Sequence, residues 1–395
     1  MNTLSFIIWN FDPTFFTLDL SGIGLGVFPI RWYGLFFALG FLISQQVMFY
    51  IHKKEAGTDL EKQKIAEKYV ESVTIYMIIA TIVGARLGHV LFYQPMDYLT
   101  NPLRILNLRE GGLASHGGGI AIFFALWLFS KYRFNVQEGS IKNFFFIKFN
   151  RGYNYPQILD RIAIVVALTG VLIRFGNFTN SEIIGKPTDS DWGVVFARQA
   201  TDALTYDPTG NGWIEEVDYR KDDNRNLTDG NVPVLVDITF KKKPFEQKNV
   251  ESFLNSGINN VFARESTYFF EPKEHPLEYS LTQQKGQYIA TISTLAIARH
   301  PSQLYESFSY FLIFLLLFSV WNRNKIKTPP GLIFGLLMTI MFIVRFSIEF
   351  TKENQVDFED GMALNMGQWL SIPFVLAGIG MIVYSMKQPK ISSET

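Results

Sequence analysis

The stretch from Arg174 to Glu182 holds the densest group of chemically capable side chains in this sequence. A guanidinium, the carboxamides of Asn177 and Asn180, and a carboxylate follow directly on the uncharged apolar run 162–173. Ionisable groups are costly where a membrane helix ends, so a chain keeps them there mainly for function. For this segment alone, the alternative is an ordinary helix end with a snorkelling arginine and capping asparagines.

Comparable side chains begin or end the other apolar segments of the chain: Tyr33, Arg86, His89, His116, His300, Tyr305, Glu306, Arg345, Glu349 and Gln368. The three arginines at positions 86, 174 and 345 favour an anionic ligand, because guanidinium binds phosphate in a bidentate manner. The imidazoles of His116 and His300 and the neighbouring glutamates are candidate proton acceptors. Each residue alone could be an interfacial aromatic, a helix cap or an intrahelical pair.

Composition places these residues in a membrane protein. The chain has 395 residues and a formal net charge of zero, which argues against nucleic acid as a partner. Apolar residues make up 48% and aromatic residues 15%, yet the mean hydropathy of +0.12 is only slightly positive, as expected for membrane helices with a polar insert. There is no cysteine, so any thiol in the chemistry must come from the substrate. The N-terminus has no basic segment or cleavage site typical of a cleaved signal peptide.

Seven apolar segments are long enough, or nearly so, to span a bilayer, and they position the polar residues. We predict them at 31–51, 72–93, 117–131, 158–176, 302–321, 331–351 and 366–386. Lysine and arginine are concentrated after the first, third, fifth and seventh segments, so the N-terminus is predicted outside and the C-terminus in the cytoplasm. This topology puts the polar residues at the outer leaflet, which favours one shared polar cavity there. The predicted fold class is an all-α polytopic membrane protein with seven transmembrane helices.

The block 183–299 interrupts this pattern and is predicted to be an extracytoplasmic head with a β-rich or mixed fold. It contains the turn cluster Asp207–Gly212 and alternating runs at 232–240 and 288–295 that are typical of strands. Asp207, Asn211 and Glu215 only weakly resemble a calcium loop, and no metal site is predicted. The predicted division is 1–182 for the N-terminal arm and first four helices, 183–299 for the head, and 300–395 for the rest.

An anionic ligand reached from within the membrane is most simply a phospholipid headgroup. The sequence therefore predicts a lipid-handling enzyme or a lipid transporter. A transporter should show inverted repeats with broken helices in matching halves, and the sequence has no such repeats. A serine hydrolase needs a Gly-x-Ser-x-Gly elbow or a similar arrangement, which is also missing.

Motifs from all seven segments resemble bacterial prolipoprotein diacylglyceryl transferases. They are Arg31-Trp32-Tyr33-Gly34, Gly84-Ala85-Arg86-Leu87-Gly88 with Leu91-Phe92-Tyr93, the run Gly111 to Gly118, Arg174 to Gly185, His300 to Glu306, Arg345 with Glu349, and Met366-Gly367-Gln368. Two positions depart from the family signature, because Ile173 and Ser181 stand where glycine is usual. The block 183–299 is also longer than is usual in the family.

The resemblance implies transfer of the diacylglyceryl group of phosphatidylglycerol to the lipobox cysteine of a preprolipoprotein. A thioether forms and glycerol phosphate leaves, as the first step of lipoprotein maturation. The implied location is the bacterial cytoplasmic (inner) membrane, and the implied partners are that membrane lipid and the preprolipoprotein signal peptide with its lipobox. No metal or organic cofactor is implied.

With this reaction in view, the candidate residues divide into two groups. The predicted catalytic set places Arg174 and Arg345 on the phosphate and His116 as the base, with Glu182 or His300 as alternatives. The predicted substrate-binding set is Tyr33, Arg86, Asn177, Asn180, Gly185, Tyr305, Glu306 and Glu349, in which Arg86 has either a structural or a secondary role.

Overall fold

The computed structural model describes residues 5–24, 26–107, 112, 114–135, 145–148, 152–206, 212–225, 230–243, 245–265, 268–270, 277–354, 359 and 361–388. The chain divides into two compact units. The first unit comprises 1–37, 173–308 and 346–368, and the second unit comprises 38–172, 309–345 and 369–395.

Most of the described chain is helical. The helices are α1 (Trp32–Ala56), α2 (Leu60–Phe92), α3 (Pro95–Thr100), α4 (Ser115–Lys131), α5 (Tyr155–Thr179), α6 (Arg198–Thr205), α7 (Gln247–Ser252), α8 (Asn259–Arg264), α9 (Ser302–Asn324), α10 (Leu332–Ile348) and α11 (Met366–Met386). Within the described ranges, five helices are long and apolar enough to cross a membrane, namely α1, α2, α9, α10 and α11. These spans confirm the prediction of a multi-pass membrane protein.

The two remaining predicted segments fall in α4 and α5. Helix α4 has 17 residues, whereas a straight span needs about 20. Helix α5 has 25 residues but carries Asp160, Arg161 and Arg174. The number of membrane crossings therefore stays a prediction.

Helices α2 and α4 of the second unit approach each other along glycines. A Cβ atom at Gly84 would overlap the carbonyl of Gly117, and one at Gly117 would overlap the backbone of Gly88. Lipid provides little hydrophobic drive for helix association, so small residues permit the close backbone contact that holds such a pair. This contact lies next to His116 in the first turn of α4.

Two ionisable residues of α5, Asp160 and Arg161, have structural partners within the second unit. Arg161 and Glu55 form an ion pair of 2.8 Å with side chains 1% and 0% exposed. The Asp160 carboxylate accepts hydrogen bonds from the amides of Gly331, at 2.7 Å, and Phe334, at 2.9 Å, where α10 begins. Both charges are thus neutralised or hydrogen-bonded, as burial requires.

Eleven strands are described. They are β1 (Phe6–Trp9), β2 (Thr14–Asp19), β3 (Val27–Arg31), β4 (Tyr132–Asn135), β5 (Phe145–Lys148), β6 (Gly193–Phe196), β7 (Ile214–Lys221), β8 (Val232–Phe240), β9 (Phe269–Phe270), β10 (Glu278–Gln284) and β11 (Gln287–Ala296). In the first unit β1 runs parallel to β6, and β2 forms an antiparallel pair with β3. In the second unit β4 pairs with β5.

The main sheet of the first unit has the order β10-β11-β8-β7, with β9 against β11. Along β8, the buried residues Val234, Val236 and Ile238 alternate with the partly exposed Leu235 and Asp237. This period of two places one face of the sheet on a core that also includes residues of α7 and α8. The two strand runs predicted from the alternation are confirmed as β8 and β11, while 207–211 lies outside the described residues.

The glycine contact between α2 and α4 predicts different responses at two positions in α4. Gly117→Val should lower the free energy of unfolding by about 1–3 kcal/mol, because the added side chain meets backbone that has no room to move. Gly119→Val is the matched control, since no described atom lies within 4 Å of a Cβ there. Thermal unfolding in detergent measures both, and equal midpoints for the two variants would contradict the close packing.

Candidate active site

Helix α5 ends in a tight turn that shapes the segment from Arg174 to Glu182. The amides of Ser181 and Glu182 donate to the carbonyls of Phe178 and Asn177, both at 3.0 Å. Ser181 and Ile183 have φ angles of 54° and 57°, a left-handed conformation that β-branched residues in particular rarely adopt. A glycine, which has no Cβ, would suit this conformation. The serine adopts it nonetheless.

The Glu182 side chain is held by the two carboxamides of the predicted site. Nδ2 of Asn180 donates to one carboxylate oxygen at 3.1 Å, and Nδ2 of Asn177 donates to the other over a longer 3.4 Å. The Glu182 carbonyl accepts a hydrogen bond of 2.6 Å from Nε2 of Gln303. Because both asparagines are buried and Glu182 is exposed, the carboxylate is an oriented acceptor at the edge of the first unit.

Gly185 lies where the segment after α5 crosses two other stretches of the first unit. Its amide donates to the His300 carbonyl at 3.1 Å, and it forms an antiparallel bridge with Lys352. A Cβ at this position would overlap the His300 backbone and the Ser302 hydroxyl, so only glycine fits. The buried Arg299 fixes the crossing, because its Nη1 donates to the Gly185 carbonyl at 3.0 Å.

A network of four charges adjoins this crossing in the first unit, and the Arg174 side chain is 16% exposed while the other three are at most 8% exposed. Nε of Arg174 lies 3.0 Å from Oε2 of Glu306, whose side chain is 0% exposed. The other oxygen of Glu306 lies 3.0 Å from Nζ of Lys352, which also lies 3.0 Å from Oε1 of Glu349. The two cations balance the two carboxylates, as burial of charged groups requires.

Three further predicted residues lie in the first unit. Tyr33, in the first turn of α1, packs against Gly176, where a Cβ would come within 3.1 Å of the tyrosine ring. Nδ1 of His300 lies 3.2 Å from the hydroxyl of Tyr305 in the first turn of α9. Partial burial lowers the pKa of the His300 imidazole below its ordinary value of about 6.5. The neutral imidazole therefore predominates at pH 7.

Arg86, His116 and Arg345 belong to the second unit. Arg86 is 3% exposed and donates to the backbone carbonyls of Ile105, Gly112, Arg104 and Asn107 at 2.9, 3.2, 2.6 and 2.9 Å. These bonds favour the structural alternative for Arg86 over direct substrate binding. His116 is exposed in the first turn of α4, and Arg345 is half-buried in the last turn of α10.

Sequence reasoning missed two buried residues that contact this cluster, Gln303 and Lys352. Gln303 lies three positions before Glu306 in α9, and Lys352 lies three positions after Glu349. A spacing of three on a helical turn places side chains on one face, and this signal could have identified both residues. Lys352 instead counted only as a loop charge, because α10 was expected to end just before it.

Within the described ranges, no group of three or more His, Asp or Glu side chains is arranged to hold a metal ion. Of the three residues that resembled a calcium loop, Asp207 and Asn211 lie outside the described residues. Glu215 lies in β7 and accepts a hydrogen bond of 2.5 Å from Nε2 of Gln287. The first unit thus contains a guanidinium paired with Glu306, an exposed carboxylate held by two carboxamides, and a neutral imidazole beside Tyr305. Such groups are chemically suited to binding an anion and to accepting a proton.

The left-handed conformation of Ser181 predicts that Ser181→Gly stabilises the protein. Relief of the backbone strain should exceed the added entropy of the unfolded chain, for a net gain of about 0.5–1 kcal/mol. Ser190→Gly is the control, because Ser190 is not among the residues with positive φ. A lower midpoint of thermal unfolding in detergent for Ser181→Gly than for the wild type would contradict the strained left-handed conformation of Ser181.

Known proteins match the chain over nearly its whole length. The family model for prolipoprotein diacylglyceryl transferase matches residues 22–384. The chain is 34% identical to a phosphatidylglycerol–prolipoprotein diacylglyceryl transferase of Tolumonas auensis, over 97% of this chain and 98% of the relative. Proteins of the same name from Porphyromonas gingivalis, 33% identical over 98% of both chains, and Bacteroides fragilis, 30% identical over 99% of both, are also similar. The chain therefore belongs to the prolipoprotein diacylglyceryl transferase family.

Proposed function

We propose that this protein transfers the diacylglyceryl group of phosphatidylglycerol to the thiol of the lipobox cysteine in a preprolipoprotein. The full-length match to the transferase family carries this proposal. In the reaction, the sulfur forms a bond to the glyceryl carbon while the bond from that carbon to the phosphate oxygen breaks. Glycerol phosphate leaves, and the thiol proton passes to a base. The protein has no cysteine, so the nucleophile belongs to the substrate.

The developing phosphate charge needs fixed cations, since preorganised charge is the main source of stabilisation in such sites. Arg174 is suited to this role, because the ion pair at its Nε orients the planar guanidinium. Arg345 is the second proposed phosphate ligand. Glu306 and Glu349 contribute by holding cations, and the bonds of Arg86 to backbone carbonyls support a structural role.

Recognition of the glycerol headgroup needs hydrogen-bond acceptors for its hydroxyl groups. Within the described part of the chain, Oδ1 of Asn180 and Oε1 of Gln303 are buried without a hydrogen-bond partner. A buried acceptor without a partner is costly, so a ligand hydroxyl would satisfy it. Asn177, Asn180 and Tyr33 are proposed to orient the headgroup, with the backbone at Gly185 and the hydroxyl of Tyr305 completing the binding set.

A thiol has an ordinary pKa of about 8.5, so one positioned base is sufficient to activate it. His116 is the proposed base, with His300 and Glu182 as the alternatives. The exposure of His116 and the neutral state of His300 at pH 7 are both compatible with accepting a proton. Glu182 already accepts hydrogen bonds from two carboxamides, which occupy part of its capacity to accept a proton from the thiol. No metal or organic cofactor takes part in this mechanism.

The proposed arrangement is seven membrane passes in the bacterial cytoplasmic membrane, with the N-terminus outside and the C-terminus in the cytoplasm. The distribution of lysine and arginine supports this orientation. Residues 1–182 and 300–395 supply the membrane helices, and 183–299 forms an extracytoplasmic head built on the main sheet. The partners are phosphatidylglycerol and the lipobox signal peptide, without nucleic acid.

The direct test combines detergent-purified protein, phosphatidylglycerol and a lipobox peptide, with mass spectrometry of the peptide. We expect the peptide mass to increase by one diacylglyceryl group, and no increase for a peptide with serine in place of cysteine. Release of glycerol phosphate without any lipopeptide would instead indicate a hydrolase. Transfer of lipid across the membrane without either product would indicate a transporter.

Arg174→Lys should lose most of the transfer activity while the protein remains folded. A lysine ammonium keeps the charge but cannot reproduce the planar guanidinium fork, and loss of one such contact costs about 10²–10³-fold in rate. Arg264→Lys is the matched control, because Arg264 has a side chain 66% exposed and lies on the surface of the first unit. Lipopeptide formation by Arg174→Lys at the rate of the control would exclude the phosphate role.

The two imidazoles predict different pH dependences of the transfer rate. If His116 is the base, His116→Gln should be slow at pH 7 and partly recover at high pH, where the thiol ionises without assistance. If His300 is the base, activity should fall only below about pH 6.5. Burial lowers the pKa of His300, so the imidazole becomes protonated at a lower pH than an ordinary histidine. His300→Gln would then remove this acid limb. A loss in His116→Gln that does not change with pH would indicate a packing role.

A further inference from the structure

Lys352 is a buried cation for which the proposed mechanism names no role beyond its pairing with Glu306 and Glu349. The side chain is 2% exposed, and it follows the 3-10 turn Glu349–Thr351 that continues α10. Its Nζ lies 3.0 Å from Oε1 of Glu306 and 3.0 Å from Oε1 of Glu349. Burial of an ammonium costs several kcal/mol unless charges and hydrogen bonds compensate it. Two carboxylates therefore hold it in one place.

Glu306 has its two oxygens on different cations. Oε2 lies 3.0 Å from Nε of Arg174, and Oε1 is bound to Lys352. A carboxylate with both oxygens available tends to pair with an arginine fork through two parallel hydrogen bonds. Lys352 engages one oxygen of Glu306, and the 3.0 Å contact with Nε of Arg174 is made by the other.

A backbone bridge to Gly185 and the carboxylate of Glu349 keep Lys352 in this position. Lys352 bridges to Gly185, which belongs to the segment that follows Arg174 along the chain. The Glu349 carboxylate packs against Gly367, where a Cβ would overlap it, and accepts a long hydrogen bond of 3.5 Å from Asn365. Glu349 therefore cannot move toward a new partner without displacing the start of α11.

We propose that Lys352 is a positioning residue that prevents Glu306 from pairing with Arg174 in a bidentate manner, so that the guanidinium can bind the phosphate of the lipid. The inference rests on the proposed function, in which Arg174 is a phosphate ligand. Without Lys352, Glu306 turns both oxygens toward Arg174 and competes with the substrate phosphate. Because the change acts on a proposed phosphate ligand, we expect it to affect binding of the lipid and not binding of the lipobox peptide.

The test is Lys352→Met, which keeps the approximate length of the side chain and removes its charge. We expect kcat/KM to fall about 10²-fold, as for a misplaced catalytic contact, with a higher KM for phosphatidylglycerol and an unchanged KM for the lipobox peptide. Lys352→Arg, which keeps the charge, should retain activity within a few-fold. Lys242→Met, at an exposed position of the first unit, is the control and should match the wild type.

The double variant Glu349→Gln with Lys352→Met removes one charge of each sign and remains balanced, so it tests the proposal even if the single variant does not fold. It should show the same rise in the KM for phosphatidylglycerol. Adding Glu306→Gln should recover part of the loss, because a neutral carboxamide does not compete for Arg174. Unchanged KM for the lipid, equal losses for both substrates, or no recovery with Glu306→Gln would overturn the proposal.

Binding of phosphatidylglycerol in mixed micelles, compared with phosphatidylcholine, separates this inference from the proposed function. Wild-type protein that binds the anionic lipid but forms no lipopeptide would overturn the transfer reaction alone. In that case weaker binding by Lys352→Met would still support the role of Lys352, and unchanged binding would overturn it.

Discussion

Glu306 lies between two cations, Arg174 and Lys352, in a part of the first unit that water hardly reaches. In such surroundings an uncompensated charge is far more costly than at the surface, so the charges must balance locally. The network joins the last turns of α5, the first two turns of α9 and the 3-10 turn after α10. None of the three segments can shift without breaking an ion pair, and this requirement sets the backbone course around the candidate site.

The backbone that carries these charges adopts unfavourable conformations in the turn after α5. Ser181 and Ile183 have left-handed conformations, and Gly185 crosses the His300 backbone with no space for a side chain. Conformations of this kind persist only where surrounding contacts outweigh their cost. Here the bonds from Gln303 and Arg299 to the carbonyls of the same segment supply such contacts. A well-defined position for Arg174 is thus gained through strain in the turn that follows it.

The sequence was most informative where the signal is local. Alternation of apolar residues predicted β8 and β11, and long apolar runs predicted the membrane spans, because each depends only on nearby positions. The grouping of Asn177, Asn180 and Glu182 was predictable for the same reason. The pairing of Glu306 with Lys352, 46 positions apart, was not, since it depends on how distant segments meet. Both glutamates are predicted to bind substrate, and in the structure each also lies 3.0 Å from the buried ammonium of Lys352.

Arg86 provides hydrogen bonds to the backbone of the segment that follows α3. The segment Pro102–Leu106 is a short 3-10 helix, and Leu103 and Leu106 are 83% and 79% exposed. Carbonyl groups in so short a helix find few partners within it, and they need hydrogen-bond donors from elsewhere in the protein. The guanidinium of Arg86 donates to the carbonyls of Ile105, Arg104 and Asn107 on the side of this segment that faces the protein. The two leucines are on the exposed side. One side chain thereby supplies the hydrogen bonds that water would otherwise give to these backbone carbonyls.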